Sequence, residues 1–282
     1  RHYVSDEIGI EDMTRYVQEV AAMDYNAIWI NPLHVAGTLK FPHPDGSKTY
    51  GSLYAMADDE AFNPLIFPVP KDITNPKEQQ ALRERQLRNW TETVRTYNMF
   101  PLFDLVLNHI GIDEGKKTSL QSKLQIESEK KGLNLLLPDI HERWPDIQGL
   151  DYYRDNLPPK KRGLNAEPKD LDLKKIDTIF KVLWEPLIKR YIQDYGFMGI
   201  RIDAITHIPV PVHQRAIQLV KNLVQETYNT DPFIVGELMV NNPNISALSA
   251  CGFTHCMNPN SYFWGYNREG GYANDSKSSS LI

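Results

Sequence analysis

The sequence predicts an α/β fold in which amphipathic helices alternate with the buried strands of a parallel sheet. Short apolar segments typical of such strands occur at residues 27–30, 99–107, 196–205 and 232–235. Each follows a segment with apolar side chains at helical spacing, such as Leu87, Trp90 and Val94 before the second strand. Helix followed by strand, repeated in this way, is the pattern of βα units around a parallel sheet.

The third helical segment contains Pro186 between the apolar residues Leu183 and Leu187. A proline inside a helix removes one backbone hydrogen bond and crowds the preceding turn. We therefore predict that this helix kinks or restarts at Pro186.

The composition excludes several classes of partner. The 282 residues carry a net charge of −5, whereas a nucleic-acid-binding protein usually presents a strongly basic face. No apolar run reaches the roughly 18 residues of a membrane-spanning helix, and no polybasic patch suits a membrane surface. We predict no nucleic-acid partner and no membrane segment. The compartment stays open, with the cytoplasm slightly favoured.

Cysteine usage argues against a disulfide framework or a thiolate zinc site. The sequence contains two cysteines, Cys251 and Cys256, which are too few for either arrangement. We predict that both are buried free thiols.

Two long connections follow predicted strands, at residues 32–70 and 110–168. In a parallel α/β barrel, the loops after the strands build the active face, so long loops there predict a substrate cleft. They could instead be unstructured insertions. The aromatic residues Trp144, Tyr152 and Tyr153 in the second connection disfavour that alternative.

Polar residues interrupt the third apolar segment at alternate positions. In a strand, Gly199, Arg201 and Asp203 share one face, while Ile200 and Ile202 point to the other. A buried Arg and Asp are costly unless they are paired. Arg201 would hold Asp203 ionised, as a carboxylate nucleophile requires. A purely structural Arg–Asp pair explains this strand equally well.

Two other apolar segments also end in polar residues. Asp104 ends the second, with Asn108 and His109 just beyond it, and Glu237 ends the fourth. Burial would raise the pKa of Glu237, as a general acid requires. A pair of carboxyl groups on one face suits double displacement at a sugar, although single polar residues at strand ends can also serve only as caps.

Five motifs resemble, in the family's order, those of the α-amylase family, glycoside hydrolase family 13. Three are DLVLNH at residues 104–109, GIRIDAITH at 199–207 and GE at 236–237. The other two are PKDLDL at 168–173 and a loop with GSLY at 51–54 and FNP at 62–64. Together they span residues from about 5 to 265, and their order argues against a chance match.

The resemblance implies catalytic roles for four residues. Asp203 would be the nucleophile and Glu237 the general acid/base. Arg201 would orient the nucleophile, and Asp104 would brace Arg201 and the floor of the site.

The resemblance also implies substrate contacts. Tyr54 would stack on the sugar, and His109 and His207 would hydrogen-bond to sugar hydroxyls in or next to the subsite of the cleaved bond. Asn108 matches a calcium ligand of many family members, so the resemblance allows Ca²⁺ without requiring it, and it implies no other cofactor.

The implied fold is a (β/α)8 TIM barrel that this chain covers only in part. Residues 1–109 would form the first part of the barrel and residues 110–168 a loop-rich subdomain inserted after the third barrel strand. Residues 169–282 would continue the barrel.

The sequence departs from the family pattern in one catalytic element. The fourth signature, an Asn-His-Asp at the end of the seventh barrel strand, is missing, and Asn274-Asp275 lacks both the His and a preceding apolar strand. The first strand would lie before Arg1. We therefore expect the chain to be part of a longer polypeptide. The alternative is a degenerate relative that folds differently and does no chemistry.

The function implied is that of a retaining enzyme that hydrolyses or transfers α-linked glucosyl units, with an α-glucan or oligosaccharide as substrate. No residue decides between water and a sugar as the acceptor. The alternative is a non-catalytic relative, either a carbohydrate-binding protein or a transporter subunit. The presence of both Asp203 and Glu237 favours the enzyme.

Overall fold

The structure, a computed structural model, describes residues 9–39, 41–42, 48–49, 51–140, 144–238 and 245–257. The strands are β1 (Ala27–Ile30), β2 (Phe41–Pro42), β3 (Lys48–Thr49), β4 (Phe100–Leu105), β5 (His109–Gly111), β6 (Leu136–Ile140), β7 (Ile147–Leu150), β8 (Gly199–Ile202), β9 (Phe233–Glu237) and β10 (His255–Met257). The α-helices are α1 (Ile10–Ala22), α2 (Pro76–Thr96), α3 (Ser119–Lys131), α4 (Leu173–Ile179), α5 (Glu185–Lys189) and α6 (Val210–Tyr228).

The main sheet has five parallel strands in the order β1-β4-β8-β9-β10. Helices connect successive strands of this sheet, so the chain forms part of a (β/α)8 barrel. The predicted fold class is therefore confirmed. The strand β10 was not predicted, because its three exposed residues carry no apolar pattern.

The helix that contains Pro186 does not restart there. It runs from α4 through a π-helical turn at Phe180–Trp184, α5 and a second π-helical turn at Arg190–Asp194, and its flanking residues keep right-handed helical dihedrals. A wider π turn immediately before the proline accommodates a missing backbone donor. Of the two predicted outcomes, the structure does not show a restart, and the kink stays a prediction.

The connection after β4 contains more regular structure than its polar sequence suggested. Strands β5, β7 and β6 form an antiparallel sheet in that order. Helix α3 begins with a capping box in which Thr118 and Gln121 exchange hydrogen bonds, and it ends at Gly132 in the left-handed region. The division at residues 109/110 and 168/169 stays a prediction.

Aromatic side chains fill the space between the main sheet and its helices. Phe103 of β4 packs on Tyr191 with ring centroids 4.4 Å apart, and Tyr191 packs on Phe197 at 5.2 Å. Trp90 of α2 reaches the same cluster. These rings cover the helix-facing side of the sheet, which leaves its other side for polar residues.

Both cysteines are free thiols, but only Cys251 is buried. Cys256 is exposed because it lies on β10 at the edge of the main sheet. The prediction of two buried thiols is therefore wrong for Cys256. Among the described residues, no helix has the length and apolar character needed to span a bilayer.

Tyr152 joins three parts of the fold through its hydroxyl group. The Trp184 indole N–H donates to this oxygen at 2.9 Å, and the hydroxyl donates to the Leu107 carbonyl at 2.6 Å. All of these residues are buried. We predict that Tyr152→Phe lowers the free energy of unfolding by about 2 kcal/mol, because it leaves a buried donor and a buried acceptor without partners.

Urea unfolding measures this difference, with Tyr16→Phe as the matched control because Tyr16 is 55% exposed. Equal stability of the two variants would show that the hydroxyl bridge contributes nothing.

Candidate active site

The inner face of the main sheet carries the predicted catalytic residues because side chains alternate along each strand. Asp104 on β4 lies directly opposite Arg201 on β8 in the parallel register. The flanking residues Phe103, Ile200 and Ile202 are buried on the helix side. The predicted alternation of the GIRIDA segment is therefore what the structure shows.

Arg201 contacts three carboxyl groups. Its Nη1 lies 2.9 Å from Oδ1 and 3.0 Å from Oδ2 of Asp104, and 2.8 Å from Oδ1 of Asp203. Its Nη2 lies 2.7 Å from Oε2 of Glu237. One guanidinium thus gathers residues from the carboxyl ends of three adjacent strands, β4, β8 and β9.

The three carboxyl groups differ in their access to solvent. The Asp104 side chain is 0% exposed, that of Asp203 12% and that of Glu237 18%. Asp203 and Glu237 are therefore open to solvent, whereas Asp104 is enclosed and contacts neighbouring side chains such as Arg201 and Trp29. The division into two reacting groups and one brace stays a prediction.

Two aromatic rings flank Arg201. The guanidinium carbon lies 4.7 Å from the Trp29 ring centroid and 5.2 Å from that of Tyr54, which is close enough for cation–π attraction. The Trp29 indole N–H also donates to Oδ2 of Asp104 at 2.9 Å, and the Tyr54 hydroxyl donates to Asn31 Oδ1 at 3.3 Å. Both rings therefore help to fix the cluster.

The residue after Asp203 has an unusual backbone. Ala204 has φ of 46° and ψ of 50°, a left-handed conformation that costs a residue with a Cβ roughly 1–2 kcal/mol. In this conformation its N–H donates to Oε2 of Glu237 at 3.2 Å. The strained turn thus ties the end of β8 to the end of β9.

Burial raises the pKa of the Glu237 carboxyl above its ordinary value. The Arg201 guanidinium opposes this rise, and the negative charge of Asp203 adds to it. Burial also raises the pKa of Asp104, against the opposing effects of Arg201 and of the Trp29 N–H. The direction for Glu237 is the one a general acid needs.

The remaining predicted substrate contacts lie in the loops beyond the strands. His109 begins β5 and is 7% exposed, whereas His207 is exposed in the 3₁₀ turn Ile205–His207 that follows Asp203. Tyr54 is half-buried beside Arg201. The structure thus places Tyr54 at the cluster and the two histidines on the segments that leave β4 and β8.

Asn108 precedes β5, and its side-chain Nδ2 lies 3.4 Å from Nδ1 of His109. Its carbonyl accepts the Leu150 N–H at 2.9 Å. Within the part of the chain that the structure describes, no three or more His, Cys, Asp or Glu side chains form a group able to hold a metal. The role of Asn108 as a calcium ligand stays a prediction.

Comparison with solved structures identifies the fold. An α-amylase of Geobacillus thermoleovorans, in complex with acarbose, superposes with a TM-score of 0.54 at 15% identity, over 88% of this chain and 44% of its own. The fold is that of an α-amylase catalytic barrel.

Further structures share this barrel. A maltogenic α-amylase of Thermotoga neapolitana has a TM-score of 0.52 at 16% identity, over 90% of this chain and 46% of its own. The cyclomaltodextrin glucanotransferase CldA has a TM-score of 0.54 at 16% identity, over 93% of this chain and 51% of its own. The chain thus spans about half the length of these proteins. No protein-family model and no curated protein matches the sequence.

Sequence reasoning missed Trp29, which contacts both Arg201 and Asp104. Its segment AIWI was interpreted only as a buried strand. A signal was present, because a buried indole needs an acceptor for its N–H, and the polar end of the adjacent strand offers one. The rejected pair Asn274-Asp275 lies outside the described residues.

We predict that Trp29→Phe lowers the free energy of unfolding by about 2 kcal/mol at a pH above the raised pKa of Asp104, since it removes a hydrogen bond to a buried carboxylate. This bond lowers the pKa of Asp104, so its contribution is present where Asp104 is ionised and is lost as falling pH protonates Asp104.

Urea unfolding of both proteins at two pH values tests this, with Tyr25→Phe as an exposed control. A difference that stays constant with pH would assign the effect to packing instead of the hydrogen bond.

We predict that Asp203→Asn lowers the pKa of Glu237. The substitution removes a nearby negative charge and frees Arg201 to interact more strongly with Glu237, and both changes favour the ionised carboxyl. ¹³C NMR titration of the glutamate carboxyl carbons, assigned with Glu237→Gln, measures the shift without a need for turnover. An unchanged or raised value would contradict the coupling of these two groups through Arg201.

Proposed function

We propose that the chain carries the catalytic centre of a retaining enzyme that acts on α-linked glucosyl units. Asp203 attacks the anomeric carbon and forms a covalent glycosyl-enzyme. Glu237 gives its proton to the leaving oxygen and later takes one from the acceptor. The observation that carries this proposal is the shared contact of Asp203 and Glu237 with one guanidinium at adjacent strand ends.

The charges of the cluster support this assignment. Both oxygens of Asp104 accept hydrogen bonds from Arg201 and Trp29, which favours its ionised form. Asp203 also accepts from Arg201, as an ionised nucleophile does. Glu237 has its pKa raised by burial, which favours the protonated form that a general acid needs.

The substrate class is supported by the fold and by Tyr54. The similar barrels include an α-amylase bound to acarbose and a cyclomaltodextrin glucanotransferase. A half-buried tyrosine ring beside the carboxyl pair offers an apolar face on which a sugar ring can stack. Hydrolysis and transfer differ only in whether water or a sugar hydroxyl attacks the glycosyl-enzyme.

Azide rescue tests the two roles separately, with a 4-nitrophenyl α-maltooligosaccharide as substrate for the full-length protein. We predict that Asp203→Ala abolishes turnover, and that azide restores it with a β-glycosyl azide as product, because azide replaces the nucleophile. Glu237→Ala should lose about 10²- to 10⁴-fold in turnover of substrates with poor leaving groups. Azide should then give the α-glycosyl azide, because it attacks the glycosyl-enzyme.

Lys130→Ala is the control, since Lys130 is exposed on α3. Rescue products of the opposite configuration would overturn the two assignments. The unsubstituted (parent) protein could bind maltooligosaccharides in calorimetry without turning them over. That result would overturn the enzyme proposal in favour of a binding protein.

A further inference from the structure

Asp146 is a buried acid in the turn before β7, far along the chain from the loop that it contacts. One carboxylate oxygen, Oδ2, accepts the Ser52 N–H at 2.8 Å. The other, Oδ1, is buried and has no hydrogen-bond partner among the described residues, and the residue is 1% exposed. A buried acid with an unpartnered oxygen is expensive, so its presence needs an explanation other than stability.

Ser52 connects Asp146 to Tyr54 through further hydrogen bonds. The Ser52 hydroxyl oxygen accepts the Tyr54 N–H at 3.2 Å, and the Ser52 carbonyl accepts the Ala55 N–H at 2.9 Å. These two bonds close the turn that sets the direction of the Tyr54 side chain. The Tyr54 ring then faces Arg201.

The surroundings leave this turn little freedom. A Cβ at Gly51 would lie 3.1 Å from Oδ2 of Asp146 and 3.1 Å from the Leu39 carbonyl oxygen. The carbonyl of Asp146 itself accepts the Ile112 N–H at 3.0 Å, next to β5. The acid is therefore held by the antiparallel sheet and presents one oxygen to the loop.

The geometry points to Asp146 as a positioning residue for Tyr54. This inference rests on the proposed function, in which Tyr54 stacks on the sugar at the cleaved bond. Asp146 accepts a hydrogen bond from the Ser52 N–H, and Ser52 accepts one from the Tyr54 N–H. These two bonds keep the Tyr54 ring at the angle that the sugar requires. The hydrogen bonds of Asp146 to the described residues go to Ser52 and Ile112 and not to Asp203 or Glu237.

Substitutions of Asp146 separate the effect of its hydrogen-bond acceptor from the effects of its negative charge and of its packing. Asp146→Asn keeps an oxygen for the Ser52 N–H and removes the charge, so we expect KM and kcat close to those of the parent. Asp146→Ala removes the acceptor. We expect it to lower kcat/KM by about 10- to 100-fold, mainly through KM, because a misplaced binding group weakens the reactive complex. Ser52→Ala, which keeps the Ser52 N–H, should act in the same direction.

A double-mutant cycle with Tyr54→Ala decides whether Asp146 acts through Tyr54. We expect Asp146→Ala to have no further effect on kcat/KM once the ring is absent. Additive losses would overturn the inference, and so would an Asp146→Asn variant as impaired as Asp146→Ala. A purely structural role would lower the Tm of Asp146→Ala and leave KM unchanged.

Amide hydrogen exchange keeps this test independent of turnover. We expect faster exchange at Ser52 and Tyr54 in Asp146→Ala than in Asp146→Asn, in the absence of substrate. If the parent protein has no activity but shows this difference, the proposed function fails and the positioning contact stands. If the parent is active and the exchange rates are equal, the positioning contact fails alone.

Discussion

The candidate site depends on the burial of one positive charge. Arg201 is 2% exposed, and an unpaired buried charge would cost several kcal/mol. Asp104, Asp203 and Glu237 lie at the ends of three neighbouring strands and offset this cost by forming ion pairs with Arg201. A shift of one residue in any of these strands would turn its side chain towards the helices. The ion cluster and the register of the sheet therefore specify each other.

Because one guanidinium faces three carboxyl groups, the cluster also favours protonation of a carboxyl group. If all three were ionised, two negative charges would remain uncompensated in a mostly buried space. Asp104 is surrounded by N–H donors, whereas Glu237 is the most exposed of the three and has a raised pKa. Burial raises the pKa of both Asp104 and Glu237, but of these two only Glu237 is open to solvent and can exchange a proton there. Carboxyl groups held in different environments within one site are what acid–base chemistry requires.

The sequence predicted those parts of the molecule that obey a local rule. The alternation of Gly199, Arg201 and Asp203 follows from strand geometry, and the structure shows it. The signals for α3 were present in Thr118, Gln121 and Gly132 but were not used. In contrast, β10 exists through its pairing with β9, and the contact of Trp29 with Asp104 joins residues 75 positions apart. The residues of β10 carry no local pattern, and the contact of Trp29 with Asp104 can be inferred only once the order of the strands is known.

The loops depend on similar long-range contacts. The sheet carries the charged residues of the site, whereas Tyr54 lies on the connection after β1. The conformation of this connection depends on contacts with the segment after β4. A Cβ at Gly111 would lie 2.1 Å from the Ala55 carbonyl oxygen, and the Leu120 N–H donates to the Ala57 carbonyl at 3.0 Å. At Gly111 the segment after β4 thus packs directly on the loop after β1, with no room there for a side chain. A side chain added at Gly111 would have to displace the backbone of Ala55, the residue that follows Tyr54.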